Sequence, residues 1–147
     1  MCNLKKLVFN DILCKPSNTF IKAFNDTSDY DHLIISNGKE CSFEVKVDLR
    51  TQETGNLAFE LRCNNKDSGM YITKATYVVY IIPGMKNNKL YFDRIKLLKF
   101  LKEHEEKNTY RIAKESGDKA RQTDCMLIKY QDVIEWGSDI LLKKEQM

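Results

Sequence analysis

A chain of 147 residues, 42% hydrophobic with 24 Lys and Arg against 21 Asp and Glu, is long enough to bury one core and too apolar for disorder. Its net charge of +3 permits a phosphate-bearing partner without demanding one. No run of about 18 apolar residues marks a membrane span, no secretory signal opens the chain, and five scattered cysteines without a Cys-x-x-Cys argue against zinc or a disulfide framework.

The expected organisation is therefore one domain over 1–147, in a reducing intracellular setting. Leu4 to Leu13 carries apolar residues at 4, 7, 8, 12 and 13, a helical period that ends before Pro16. Asn18 to Phe24 extends it as a short second turn of helix, and Asn25-Asp26-Thr27-Ser28 is a loop.

The segment from Asp29 to Asp48 is the most informative. Two β-prone runs, His32–Ser36 and Glu40–Val47, flank Asn37-Gly38. Asn-Gly is the strongest short hairpin signal, because both central turn residues need positive φ. A two-residue turn makes Ser36 face Lys39, so that paired positions sum to 75 and Asp31 lies across from Glu44. Like charges opposed across a ladder repel; a hard divalent cation such as Mg²⁺ or Mn²⁺ reverses that sign. Alternation then directs Phe43, Val45 and Val47 away from the site, and Glu44, Lys46 and Asp48 toward it. The plainer reading is a solvated strand face, since Glu-x-Lys is common in a chain that is 31% charged and recurs at Glu105-Glu106-Lys107.

Leu49 to Asn56 is polar and glycine-bearing, a loop beside the site. Leu57 to Cys63 alternates again, with Leu57, Phe59 and Leu61 on one side and Ala58, Glu60 and Arg62 on the other. Paired with Glu40–Val47, this third strand would carry Glu60 to the same ion or to a second one; a Glu60–Arg62 pair on an exposed edge is the alternative. Asn64 to Gly69 is a turn. Tyr77 to Ile82 is continuous enough for a strand buried on both faces, and Pro83-Gly84 ends it. Lys74, just before that strand, is placed to touch a phosphate.

Asp93 to Lys107 is the clearest helix, with Ile95, Leu97, Leu98, Phe100 and Leu101 for the core and Lys96, Lys99 and Lys102 toward solvent. His104 and His32 receive no role. Tyr110–Ala113 is a short strand, and Ser116–Gln122 is a loop in which Lys119 and Arg121 are candidate sequence-independent backbone contacts. A strand follows over Cys125–Tyr130, then a short helix over Asp132–Leu142 with Trp136 packed rather than stacked on a base, and a fraying end.

Asp31 followed by Glu44-Val45-Lys46 on the next strand resembles the PD-(D/E)XK nuclease signature of restriction-endonuclease-like folds. Thr54-Gly55-Asn56 through Glu60, Ser68-Gly69 and Thr73-Lys74-Ala75 resemble the small viral and phage branch related to Holliday-junction resolvases. The resemblance spans roughly Asp29 to Ile82, and Asp31 lacks the preceding proline. It implies an α/β fold, a mixed β-sheet flanked by helices with an αβββαβ core, and a metal-dependent deoxyribonuclease. Asp31, Glu44 and the Val45 carbonyl would hold Mg²⁺ or Mn²⁺, Lys46 would position the attacking water, and Glu60 would assist. Lys74, Arg62, Lys119 and Arg121 would touch DNA. The substrate would be branched, flapped or single-stranded DNA. A homodimer would suit a symmetric junction, and the setting would be host cytoplasm if the source is viral. The rival reading is a catalytically inactive nucleic-acid-binding module on the same fold. A small-molecule nucleotide hydrolase is disfavoured, because the sequence has no glycine-rich phosphate loop.

Overall fold

The structure is a computed structural model that describes residues 19–24, 32–36, 39–116 and 122–146, with side chains described for 41–114 and 122–146. The proposed opening helix over Leu4–Leu13 lies outside these residues.

The described chain is α/β, built on two sheets. The larger is mixed, six-stranded, in the order β1 (Thr19–Phe24), β2 (His32–Ser36), β3 (Lys39–Val47), β6 (Tyr77–Ile81), β7 (Lys89–Asp93), β10 (Leu141–Glu145). Its one parallel ladder is β3 with β6, and the intervening residues 48–76 make the long crossover that parallel strands require. That crossover contains a four-residue helix, α1 (Thr51–Thr54), then β4 (Asn56–Cys63), the two-residue β5 (Lys66–Asp67) and a 3₁₀ turn at Gly69–Tyr71. The smaller sheet is antiparallel, in the order β5, β4, β9 (Gln122–Lys129), β8 (Ile112–Ser116). The remaining helices are α2 (Arg94–Glu106) and the short α3 (Tyr130–Val133).

The β2–β3 hairpin has the expected register, from Ser36↔Lys39 to His32↔Phe43. Period-two alternation sorts the core into two layers. Val78, Tyr80, Leu90 and Phe92 project from the large sheet onto Leu57, Phe59, Leu61, Met126 and Ile128 of the small one. Phe59 lies at the centre, 5.1 Å from the Tyr80 ring and 6.0 Å from Phe92 in an edge-on contact. Phe43, Val45, Val79, Ile81 and Tyr91 form a second cluster through the alternate residues of the same strands. Strand β6 is thus buried on both faces, as its continuous apolar run implies.

Helix α2 begins where expected. Asp93 ends β7 and caps the helix, its Oδ1 accepting from the Lys96 N–H at 2.9 Å. Leu97 and Leu101 are buried and the three lysines are exposed, but Ile95 is 66% exposed and belongs to no core.

Four expectations need correction. Thr19–Phe24 is an edge strand and not a helical turn: its Thr, Phe and Ile suit a pleated surface, and the free side of β2 supplies the ladder. Strand β4 does not join β3, because both edges of β3 are already taken by β2 and β6; it pairs with β9 and β5 instead. Between Pro83-Gly84 and α2, where no element was expected, Lys89–Asp93 is a strand. The C-terminal end does not fray. The helix is confined to Tyr130–Val133, and Leu141–Glu145 completes the open edge of β7, with Leu141 buried.

Candidate functional site

Strand β3 sets the first wall. Phe43 and Val45 are fully buried in the second cluster, so Glu44 and Lys46 share the opposite face. The Lys46 Nζ lies 3.3 Å from Glu44 Oε2, with the Glu44 side chain 11% exposed and that of Lys46 35% exposed. Thr73, also buried, donates its hydroxyl to Glu44 Oε1 at 3.4 Å. The Thr73 Oγ1 also accepts the Ala75 N–H, which fixes the hydroxyl's position just before β6.

Strand β4 sets the second wall. Leu57, Phe59 and Leu61 turn into the core, which sends Ala58, Glu60 and Arg62 the other way. Ser68 donates to Glu60 Oε2 at 2.7 Å. The turn reaches Glu60 because residue 69 is glycine: its φ is +54°, and a Cβ there would sit 2.6 Å from the Glu60 carbonyl oxygen and 2.8 Å from its Cβ. The Ser-Gly and Thr-x-Ala segments therefore act on the two glutamates, one hydroxyl to each.

Asp48, expected on the site face, is committed elsewhere. Its Oδ1 accepts the N–H groups of Arg50 and Thr51, and its Oδ2 accepts that of Ala58 at 3.2 Å. It therefore braces the turn from β3 into β4. Gly55, with φ +76°, closes α1 and sends the chain into the second sheet. Between the walls, the Tyr80 hydroxyl donates to the Ala58 carbonyl at 3.0 Å. Burial, and then the neighbouring carboxylates of Asp48, Glu60 and Glu44, hold Tyr80 well above the usual phenol pKa, so it stays a donor.

Lys46, Asp48, Glu60, Tyr80, Arg111 and Cys125 line one cleft of about 560 Å³. Its floor follows from register. Glu60 pairs with Cys125, which pairs with Ala113, so one row crosses β4, β9 and β8 on a single face. Past Asn56, Arg111 and Leu127 a second hollow of about 240 Å³ leads on to Lys129.

The proposed site residues fall into three groups. Lys46 and Glu60 line the cleft with Tyr80, and Glu44 lies behind Lys46 and near Tyr80 without lining it. Asp31, Lys119 and Arg121 lie outside the described residues. Lys74 is exposed but does not line the cleft. Arg62 is corrected: it is neither a free DNA contact nor part of an exposed Glu60–Arg62 pair. Its Nε donates to Asp124 at 3.0 Å and its two terminal nitrogens donate to the two oxygens of Glu105. Tyr71 donates to the same carboxylate at 2.7 Å. These contacts tie β4 to β9, α2 and the 3₁₀ turn.

Sequence reasoning missed the hydroxyl donors Ser68 and Thr73 as partners of the glutamates, and Arg111 and Lys114 as cleft residues. The first two sit in segments singled out for other reasons; nothing local to β8 marks the others. Trp136 packs on Phe59 and Phe100, as expected. Among the described residues there is no group of three or more His, Cys, Asp or Glu side chains arranged for a metal, and no helix long and apolar enough to cross a membrane. No protein family, curated protein or solved structure matches the chain.

Proposed function

We propose that the cleft hydrolyses phosphodiester bonds of DNA with a divalent cation. The observation that carries this reading is Lys46, held 3.3 Å from Glu44 on one strand face and lining a cleft whose other wall holds Glu60. The proposed donors, Glu44, the Val45 carbonyl, Asp31 and Glu60, suit Mg²⁺ or Mn²⁺, because all of them are hard oxygens. Glu44, the Val45 carbonyl and Asp31 would hold the ion, with Glu60 assisting. When bound, such an ion lowers the pKa of water and offsets charge on the phosphoryl oxygens.

The remaining chemistry belongs to the chain's own residues. Lys46 carries three N–H donors; one faces Glu44 and the others are available to orient a water against the phosphorus and to meet developing negative charge. Thr73 fixes the Glu44 carboxylate, and Ser68 fixes that of Glu60. Tyr80 fills the space between the walls and excludes water from beneath the site.

The test is incubation with linear, flapped and four-way DNA in Mn²⁺. Cleavage of at least one substrate is expected, lost in Lys46→Ala with an unchanged circular dichroism spectrum. Tight binding with no cleavage in either Mg²⁺ or Mn²⁺ would instead favour the inactive binding module.

A further inference from the structure

The cleft carries an excess of uncommitted positive charge on the side away from the glutamates. Lys46 faces Glu44, Asp48 is saturated by backbone N–H groups, and Glu60 accepts from Ser68. Arg111 and Lys114 also line the cleft, and both are exposed. Among the described residues neither side chain has a hydrogen-bond or ion-pair partner.

Their position follows from the sheet. Strand β8 is the outer strand of the small sheet, separated from β4 by β9 alone. The Arg111 carbonyl accepts the Leu127 N–H at 3.0 Å, and Leu127 pairs with Ala58. Arg111 is therefore set two strand spacings, roughly 10 Å, from the strand that bears Glu60. The floor between is small or apolar: Ala58, Ala113, Cys125 and Leu127. A polar small molecule would leave that floor unused. A sugar–phosphate strand lying across it would place sugars on the floor and its charge at the rim. An offset of roughly 10 Å along such a strand reaches a neighbouring phosphate rather than the one held at the glutamates. The second hollow, lined by Lys129 and also by Asp132, continues past Arg111.

We propose that Arg111, immediately before the edge strand β8, and Lys114, on it, form a phosphate clamp that grips the DNA backbone beyond the bond cleaved near Glu44 and Glu60. This rests on the phosphodiester reading of the cleft. The contacts are to backbone and read no base, so the clamp sets affinity and register without sequence preference. Arginine supplies planar, two-pronged donation to phosphate, and lysine a point charge.

The experiment is fluorescence anisotropy with a fluorescein-labelled flapped DNA in Ca²⁺, titrated with salt from about 50 to 200 mM. Each lost phosphate contact reduces the slope of log K against log salt by about 0.7–0.9. The Arg111→Ala/Lys114→Ala double variant is expected to bind more weakly, with a slope shallower by about 1.4–1.8. Lys96→Ala/Lys99→Ala, which removes the same charge from the exposed face of α2, is expected to keep the parent slope. An unchanged slope in the β8 variant, or an equal fall in the α2 variant, overturns the clamp. Cleavage assays in Mn²⁺ separate the two ideas. If the parent protein cuts nothing while the β8 slope falls as stated, hydrolysis fails and the clamp stands. If the β8 variant cuts with parental KM and an unchanged slope, the clamp fails and hydrolysis stands.

Discussion

Two charged steps, Glu44–Lys46 on β3 and Glu60–Arg62 on β4, follow one another in the chain but lie in different sheets, and they are treated in opposite ways. Glu44 and Lys46 on β3 meet in a single contact at 3.3 Å beside a cleft. Arg62 on β4 is grasped by both oxygens of Glu105 and by Asp124, with Tyr71 closing the set. The second cluster spends its guanidinium on three strong donations and links four elements, an arrangement that resists disruption. The first leaves an ammonium partly exposed with donors to spare. Two Glu/Arg/Lys steps that look alike as letters thus differ in how much hydrogen-bonding capacity the fold consumes.

Breaking the first pair should remove activity and leave the fold intact. Lys46→Ala is expected to lower cleavage by about 10²-fold or more, since electrostatic stabilisation of the transition state is worth that much. Its urea midpoint should move little, because one partly exposed pair contributes about 0–1 kcal/mol. A matched loss of stability and activity would mean that Lys46 is structural.

Breaking the second pair should do the reverse. Arg62→Met leaves Glu105 and Asp124 facing each other without a cation. With the Arg62 side chain 26% exposed, the expected cost lies between surface and buried pairs, about 2 kcal/mol by urea unfolding. The same cluster predicts a pH dependence. The hydrogen bond from Arg62, aided by that from Tyr71, holds the Glu105 carboxyl below the usual carboxylate range against the effect of burial. A depressed folded-state pKa stabilises fully above the unfolded value of about 4.3 and is lost as pH falls through the folded one. Stability should decline below about pH 4.3, and Glu105→Gln should flatten that decline.

Gly69→Ala probes the junction between the regions. A left-handed φ costs a residue with Cβ about 1–2 kcal/mol, and the added carbon would collide with Glu60. Both stability and cleavage should fall, and a variant as active as the parent would remove Glu60 from the site. A smaller effect is expected from Thr73→Val. The hydroxyl is 3.4 Å from Glu44, at the long end of hydrogen bonding, so cleavage should drop roughly tenfold, with Thr73→Ser restoring most of it. Smallest of all is Glu103→Ala, which breaks an exposed i,i+4 pair with Lys107 and should leave the urea midpoint where it is in the parent.

Much of the candidate site was legible because its signals are short-range. Asn37-Gly38 set a hairpin whose described pairs sum to 75, and alternation sorted Glu44 and Lys46 from Phe43 and Val45 before any fold was known. The same alternation found the buried side of β4 and the doubly buried β6, and Asp93 announced α2. These features depend on neighbours within a few residues, through steric limits on φ and ψ and the direction of each Cβ.

What lay beyond reach concerns partners. That β4 leaves β3 for β9, and that β10 rather than a loose end closes β7, depend on which ladder edges remain open once the other strands have paired. Thr73 meets Glu44 across 29 positions, and Arg62 meets Glu105 across 43. Arg111 acquires its place only because β8 finishes the second sheet. Sequence alone decided which face each side chain takes, since that is a local matter of backbone geometry. The tertiary structure decided what each face meets, because pairing and burial are settled by competition among distant segments for the same edges and the same core.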